Sequence, residues 1–243
     1  MLLAIDIGNT SITLGVFEND TLVSTARIPS DKTLVSTEYQ KLLCDILQQY
    51  NITGCIIASV VTELDEVIHN AVLGAFSIAP IHARPQEEKL GADRYVNVVA
   101  GKSLYPLPLI IVDLGTANTF DVINQNGEYL GGLISAGVNT QLKSLNLMTS
   151  KLPLISPQDS PTAIAYNTQD AILSGTIRGT ACMISGMIEQ TEAELRQKAT
   201  VVATGGLANT VVKYMSRPFD DISPNLTLLG LKLIYEQELT LSH

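Results

Sequence analysis

Short runs of apolar residues recur along the chain, separated by polar turns or by stretches with helical spacing. The runs at residues 2–5 and 109–112 are continuously apolar, which is typical of strands buried on both faces. Further strands are predicted at residues 55–60 and 200–203. Apolar spacing predicts helices over about residues 36–50, 63–75, 92–104, 168–196 and 207–215, and from residue 225 to about 240.

The first two apolar runs open similar segments. Residues 2–23 align without a gap with residues 109–130, so that Asp6 meets Asp113, Gly8 meets Gly115, and residues 19–20 meet residues 126–127. Each copy predicts a strand, a glycine turn, a strand, an Asn-containing hairpin turn and a third strand. Chance similarity between two hairpins is the alternative to a duplication.

Strands that alternate with helices imply mixed sheets covered by helices, an α/β class. Two prolines, Pro106 and Pro108, follow the helix predicted over residues 92–104 and are expected to end it. We therefore expect two lobes, residues 1–107 and 108–243.

Composition narrows the class of protein. Hydrophobic residues make up 46% and charged residues 16% of the 243 residues, which favours a globular chain with a sizeable core. A net charge of −9 opposes a nucleic-acid-binding surface. Asp6 interrupts the first apolar run and no stretch approaches about 20 apolar residues, so we expect no signal peptide, no membrane span and a cytoplasmic protein.

The two glycine turns suggest phosphate chemistry. A tight glycine turn after an apolar strand brings backbone N–H groups close to an anion, and an adjacent Asp can hold a divalent cation directly or through water. Two such turns in one chain predict two phosphate clamps acting on one nucleotide, and so an ATP-using enzyme. The alternative for Asp6 alone is that it caps its own turn.

A third glycine-rich element, Gly205-Gly206, follows the strand predicted to end at residue 203. Glycines there let a planar ring or a ribose lie on the backbone, and the start of the next helix favours negative charge. An ordinary turn between a strand and a helix is the alternative.

In this order the three elements resemble the actin-like ATPase and sugar-kinase superfamily, which implies two duplicated ribonuclease H-like lobes. The resemblance narrows to the type III pantothenate kinase family at Gly91-Ala92-Asp93-Arg94. The chain also resembles the family pattern at residues 6–10, 113–119, 131–134, 167–168, 204–206 and 226–231.

That resemblance implies ATP-dependent phosphorylation of pantothenate, the first step of coenzyme A biosynthesis. It implies Asp93 as the catalytic base, at a helix start that would stabilise its carboxylate. The implied pantothenate-binding residues are Gly91, Ala92, Asp93, Arg94 and Thr168. The implied ATP-binding residues are Asp6, Ile7, Gly8, Asn9, Thr10, Ser11, Ile12, Thr13, Thr116, Gly205 and Gly206. Asp113 is implied as a ligand of K⁺ or NH₄⁺, and Asp6 is the candidate for Mg²⁺, bound through water.

Structural alternatives remain for two of these positions. Asp93-Arg94 also fits a helix N-cap followed by a surface arginine. Asn167-Thr168 followed by Asp170 also fits a helix cap, and both roles can hold together there.

The chain departs from the family pattern at three places. Thr13 stands where relatives usually carry a Lys, so a compensating charge would have to come from elsewhere, with Arg178 and Lys143 as candidates. Arg84 stands where relatives often place an aromatic substrate contact, within the segment 84–89. Ala136-Gly137 replaces the family's Pro-Gly, but the glycine is kept.

The predicted long helix carries small residues along one face: Ala171, Gly175, Gly179 and Gly186, with Ile172, Thr176 and Met183 nearby. This face predicts close approach of another helix. Packing inside the second lobe is one interpretation; the resemblance implies a homodimer built on these helices.

Two other functions stay open on the sequence alone. One is another small-molecule kinase of the same superfamily, which Gly91-Ala92-Asp93-Arg94 opposes. The other is a non-enzymatic transcriptional accessory factor, which the missing Lys at Thr13 favours and the intact Asp93, Asp113 and Thr116 oppose.

Overall fold

The computed structural model describes residues 1–85, 90–160 and 162–241. The chain forms two compact units, each built on its own five-stranded mixed sheet. Unit 1 contains Met1–Ala100 and Asn225–His243, and unit 2 contains Gly101–Pro224. The predicted class, two mixed sheets flanked by helices, is confirmed.

The elements, in chain order, are β1 (Leu2–Ile7), β2 (Ser11–Glu18), β3 (Thr21–Pro29), α1 (Ser36–Leu47), β4 (Gly54–Ser59), α2 (Thr62–Phe76), β5 (Ile81–His82), α3 (Ala92–Leu104), β6 (Leu109–Leu114), β7 (Ala117–Ile123), β8 (Tyr129–Ala136), α4 (Val138–Met148), α5 (Thr168–Leu173), α6 (Gly179–Leu195), β9 (Thr200–Thr204), α7 (Ala208–Val211), β10 (Asp221–Ile222) and α8 (Leu226–Leu241). A π-helical turn, Ser174–Arg178, joins α5 to α6, and a 3₁₀ turn, Val212–Tyr214, follows α7. Helix α4 and the two-residue strands β5 and β10 were not predicted from the sequence.

The sheet of unit 1 has the strand order β3-β2-β1-β4-β5. β1 runs antiparallel to β2 and parallel to β4, and its side chains alternate between two cores. Ile5 and Ile7 join the core formed with α1 and α2, whereas Ala4 joins a smaller core formed with α8 and the start of α3. Burial on both faces explains why β1 and β4 read as continuous apolar runs.

The sheet of unit 2 has the equivalent order β10-β9-β6-β7-β8. Ile110, Val112 and Phe120 lie in one core with the helices α4 to α7. In each unit, the first three strands form an antiparallel set. Two later strands, both parallel to the first strand, extend the sheet on its other side. The duplication predicted from the sequence is therefore present in the topology.

The gapless alignment of the two copies is wrong by one residue between the glycine turn and the hairpin turn, and it is correct again in the third strand. Residues 8–10 connect β1 to β2, but only residues 115–116 connect β6 to β7. As a result Asp6 pairs with Thr13, and Asp113 pairs with Thr119 instead of Phe120. Because side chains alternate along a strand, this shift decides which residue shares a face with the aspartate.

The C-terminal helix belongs to unit 1, in contrast to the predicted division at residues 107 and 108. Leu228, Leu231 and Ile234 pack with Ala4 and Ile56 on one face of the first sheet. The apolar spacing of α8 predicted a helix with a buried face. It did not indicate which of the two sheets that face packs against. The division of the chain falls within α3, between Ala100 and Gly101.

One helical run, Thr168–Leu195, is long and apolar enough to cross a membrane by length and composition, although no such run was expected. Half of its most apolar window is buried inside the protein. Leu173, Ile177 and Ile184 are fully buried in the core of unit 2. Packing against the sheet therefore accounts for the apolar character of this helix.

Candidate active-site residues

The first glycine turn lies at the carboxyl end of β1. Antiparallel pairing places Thr13 beside Asp6 on the same face of the sheet. The Gly8 N–H donates to the carbonyl oxygen of Ser11 at 3.1 Å, so the turn itself uses this amide. Amide donors for an anion therefore have to come from the residues after Gly8 in the turn.

Ser30, the residue directly after β3, anchors this turn and was missed by the sequence analysis. Its Oγ donates to the Gly8 carbonyl oxygen at 2.5 Å, and its N–H donates to the Thr10 carbonyl oxygen at 3.2 Å. The signal was available, because Ser30 occupies the place of Gly137 when the gapless repeat is extended past its aligned segment.

Gly91-Ala92-Asp93-Arg94 forms the start of α3. Asp93 lies in the first helical turn, and its Oδ1 accepts a hydrogen bond from the Arg94 N–H at 2.8 Å. A side chain on Gly91 would place its Cβ 2.8 Å from the same oxygen. The glycine thus leaves room for this carboxylate oxygen. Gly91 itself holds the N-cap position, because its carbonyl oxygen accepts the first helical hydrogen bond, from the Tyr95 N–H at 2.9 Å. The N-cap interpretation of Asp93 is therefore wrong.

The tertiary structure brings this motif to the edge of the sheet that carries the first glycine turn. The Val60 N–H, just after β4, donates to the Ile7 carbonyl oxygen at 3.1 Å. The Cβ position of Gly91 lies 3.9 Å from Val60 Cγ1. Two predicted site segments more than eighty residues apart in the sequence are therefore neighbours within unit 1.

The second glycine turn, at the end of β6, is anchored in a similar way. Its Gly115 N–H donates to the Ala117 carbonyl oxygen at 3.0 Å. The Thr116 carbonyl oxygen accepts from the Gly137 N–H at 3.1 Å and from Thr140 Oγ1 at 2.6 Å. Gly137 is the N-cap of α4, so this unpredicted helix positions the turn.

Asp113 is flanked by two threonines across the second sheet. It pairs with Thr119 on β7 and with Thr204 on β9, so that all three side chains share one face. Thr204 is buried. A carboxylate beside hydroxyl oxygens is a donor set that suits a hard cation.

Position 205 has to be a glycine for two independent reasons. Its φ of +91° is a conformation that residues with a Cβ rarely adopt. Its Cβ would also lie 2.6 Å from the backbone N and O of Leu114 and 2.7 Å from Asp113 Oδ1. The Gly205 backbone therefore packs closely on the end of β6, beside the second glycine turn.

Helix α7, which follows this glycine pair, has only four residues before its 3₁₀ turn. A helix this short has a small dipole, so the predicted contribution of its N-terminus to anion binding is not supported. Gly206, which is exposed, remains as the glycine of this pair whose backbone is accessible to a flat ligand.

Thr168 begins α5. Asn167 is the N-cap of this helix, and its Oδ1 accepts from the Asp170 N–H at 2.9 Å. The cap interpretation of this segment is confirmed, and it leaves a substrate-binding role of the Thr168 hydroxyl untested.

Sequence comparison decides the family. The family model described as type III pantothenate kinase matches residues 2–190. A type III pantothenate kinase from Dehalococcoides mccartyi is 38% identical, over 97% of this chain and 95% of its own length. Another, from an Exiguobacterium species, is 37% identical, over 98% of this chain and 99% of its own.

The chain belongs to the type III pantothenate kinase family. The fold agrees with that of a ROK family glucokinase from Streptomyces griseus, solved in complex with glucose and AMPPNP. That structure is 11% identical, with a TM-score of 0.58, and the match covers 97% of this chain and 99% of the other. The predicted actin-like ATPase and sugar-kinase fold is confirmed.

Arg178, one candidate to offset the replacement of the family's Lys by Thr13, makes contacts within unit 2, and its compensating role stays a prediction. The Arg178 guanidinium lies 4.3 Å from the centre of the Tyr214 ring, and its Nε and Nη2 donate to Ser160 at 3.3 Å. These contacts hold Arg178 within unit 2 as a structural side chain. No described interaction involves Lys143, whose proposed role stays untested.

The other two departures have different outcomes. Arg84 is exposed, and residues 86–89 of the same segment lie outside the described residues, so the replacement for the family's aromatic contact is not identified. Gly137 is buried, and its backbone contacts the second glycine turn directly. The glycine, rather than the proline before it, is therefore the part of the family's Pro-Gly that the fold requires.

Proposed function

We propose that this chain transfers the γ-phosphoryl group of ATP to pantothenate, forming 4′-phosphopantothenate in the first step of coenzyme A biosynthesis. Its membership of the type III pantothenate kinase family supports this reaction. The observation that carries it is Asp93 at the start of α3, beside the edge of the sheet that bears the first glycine turn. We place this metabolic enzyme in the cytoplasm.

Asp93 is proposed as the catalytic base. Phosphoryl transfer needs an acceptor hydroxyl held in line with the phosphorus and a group that accepts its proton late in a loose transition state. The Arg94 N–H fixes Asp93 Oδ1, so Oδ2 is the atom we assign to the pantothenate hydroxyl. Arg94 offers a planar pair of donors for the carboxylate or an amide carbonyl of pantothenate. Gly91, Ala92 and Thr168 are proposed to complete the pantothenate contacts.

The ATP contacts are proposed to come from residues 6–13 and from Thr116, Gly205 and Gly206. Gly206, the second glycine of the pair, is exposed, so we assign the adenosine contact chiefly to its backbone.

Asp6 and Asp113 are proposed to hold Mg²⁺, through water, and K⁺ or NH₄⁺, respectively. Both offer only oxygen donors, with Thr13 beside Asp6 and Thr119 and Thr204 beside Asp113. Among the described residues, no group of three or more His, Cys, Asp and Glu could hold a metal, so phosphate and water oxygens would have to complete each shell. Bound cations would offset the negative charge of ATP in this acidic chain.

The reaction is tested with purified protein, ATP, Mg²⁺, K⁺ and pantothenate, measured as ADP release. We expect Asp93→Asn to bind nucleotide like wild type and to lose several decades of kcat. Glu63→Gln, in the exposed first turn of α2, removes a comparable charge outside the site and serves as the control. An Asp93→Asn enzyme within a few-fold of wild type would show that Asp93 is not the base.

The monovalent-cation proposal has a separate test. Activity in Na⁺ alone should be poor and should recover in K⁺ or NH₄⁺, because Asp113 is assigned to the larger ions. Asp113→Asn should remove this dependence. Equal wild-type rates in Na⁺ and K⁺ would refute the assignment.

We also propose a homodimer built on the long helix. Ala171, Gly175 and Gly179 are exposed, and a Cβ on Gly175, Gly179 or Gly186 would meet no atom within 4 Å. This open space opposes the alternative that these glycines pack inside unit 2. Ile172 and Thr176 face the core instead, which corrects their predicted place near the contact face.

Exposed apolar side chains beside this face support the same dimer. Ile164 and Tyr166 are almost fully exposed just ahead of α5, and Ser174 Oγ donates to the Ala163 carbonyl oxygen at 2.7 Å. Gly179→Leu should give a monomer with impaired turnover, while Gly179→Ala should stay dimeric. Unchanged mass by light scattering together with full activity of Gly179→Leu would remove the proposal.

Another small-molecule kinase activity is the alternative reaction. A panel of alcohol substrates with ATP separates the two, since pantothenate should be phosphorylated with the highest kcat/KM.

A further inference from the structure

The two glycine turns share an anchoring arrangement that the family pattern did not indicate. After the third strand of each unit, the first residue donates its backbone N–H to a threonine carbonyl of the turn: Ser30 to Thr10, and Gly137 to Thr116. A hydroxyl from the same stretch of chain adds a second bond, from Ser30 Oγ to Gly8 and from Thr140 Oγ1 to Thr116. The duplication therefore extends to the residues that hold the turns.

Because a peptide is planar, a hydrogen bond that holds its carbonyl also fixes the direction of its N–H. In a trans peptide the C=O of one residue and the N–H of the next point to opposite sides. A hydroxyl that holds the Gly8 carbonyl therefore directs the Asn9 N–H away from Ser30. Bonds to the Thr116 carbonyl likewise direct the Ala117 N–H away from α4. The amides of Gly8 and Gly115 are already used within their turns.

We infer that Ser30 and Thr140 are positioning residues for ATP, because their hydroxyls orient the peptides that present the Asn9 and Ala117 N–H groups to phosphate oxygens. This inference rests on the proposed ATP-binding function of the two turns. Neither hydroxyl is assigned to touch the nucleotide. Each acts by holding a backbone carbonyl. Without that hydrogen bond the peptide plane could rotate, and the N–H of the next residue would turn away from the phosphate.

We expect the Ser30 hydroxyl to contribute more to nucleotide binding than the Thr140 hydroxyl does. Among the described residues, Ser30 Oγ is the donor to the Gly8 carbonyl, so Ser30→Ala leaves that carbonyl without one. The Thr116 carbonyl keeps the Gly137 N–H when Thr140 loses its hydroxyl. Ser30→Ala should therefore weaken nucleotide binding more than Thr140→Val does.

The test measures the dissociation constant of a non-hydrolysable ATP analogue by calorimetry, with steady-state kinetics alongside. Loss of one such hydrogen bond should raise the dissociation constant about three- to ten-fold for Ser30→Ala and less for Thr140→Val. The KM for ATP should rise in parallel, and the KM for pantothenate should stay within two-fold of wild type. Ser30→Thr and Thr140→Ser should restore binding, and Thr25→Ala, an exposed hydroxyl on β3, is the matched control.

Amide hydrogen exchange of the nucleotide-free protein gives a readout that does not depend on activity. Ser30→Ala should increase exchange at residues 8–11, and Thr25→Ala should not. If wild type binds the analogue but does not phosphorylate pantothenate, a weaker Ser30→Ala complex supports the inference while the proposed reaction fails. If wild type is an active kinase and Ser30→Ala binds ATP as tightly as wild type, the inference is overturned and the reaction stands. A wild type that binds no nucleotide overturns both.

Discussion

Gly137→Ala is predicted to displace the second glycine turn without straining its own backbone. Gly137 has φ −68° and ψ 161°, a conformation that alanine adopts freely. The added Cβ would lie 2.6 Å from the Thr116 carbonyl oxygen and would also overlap the Gly115 carbonyl oxygen. Both obstacles are backbone atoms of the turn, so no flexible side chain can move aside.

The size of the displacement follows from the contact distances. Ordinary van der Waals contact begins near 3.4 Å, so the turn or the start of α4 has to move by about 1 Å. A misplacement of that size at a site that orients a reactant can cost about 100-fold in rate. Overpacking of this kind costs typically about 1–3 kcal/mol of stability, which is small against the 5–15 kcal/mol of a typical domain. We therefore expect a folded variant with severely impaired turnover.

The assay compares kcat/KM for ATP with the thermal midpoint of unfolding. Gly137→Ala should lose about 100-fold in kcat/KM for ATP while it still unfolds cooperatively. Gly186→Ala is the control, because the same substitution there meets no atom within 4 Å and should stabilise α6. A Gly137→Ala enzyme with kinetics within three-fold of wild type would show that the turn tolerates the shift and would refute the reasoning.

Two further predictions concern stability. Gly205→Ala combines a positive φ with overlap on the Leu114 backbone, so it should cost about 2–5 kcal/mol and lower the thermal midpoint by several degrees; an unchanged midpoint would contradict it. The hydrogen bond from the Arg217 guanidinium holds the pKa of Asp220 below its ordinary value, so this carboxylate stabilises the fold above the unfolded-state pKa of about 3.9 and loses that effect as the pH falls through the folded-state pKa. Asp220→Asn should lower the urea midpoint at pH 7, and its difference from wild type should shrink below about pH 4; a difference that stays constant with pH would disprove the linkage.

Local patterns accounted for most of the elements. Burial on both faces made β1, β4, β6 and β9 readable as apolar runs, and periodicity located the helices to within a few residues at α2, α3 and α8. Helix α4 was missed although Val138, Leu142 and Leu145 follow helical spacing and pack in the core of unit 2. Strands β5 and β10 have two residues each and leave no periodic signal.

The sequence by itself determined the class of fold, the duplication and the family, because these depend on residue order and local spacing. Only the tertiary structure decided the register after the second glycine turn, the membership of α8 in unit 1 and the anchoring of the turns by Ser30 and Thr140. Those features depend on hydrogen bonds and packing between residues distant in sequence, where a one-residue change in a connection moves a side chain to the other face of a sheet. Such contacts leave little trace in periodicity or composition, and they set the geometry on which the proposed phosphoryl transfer depends.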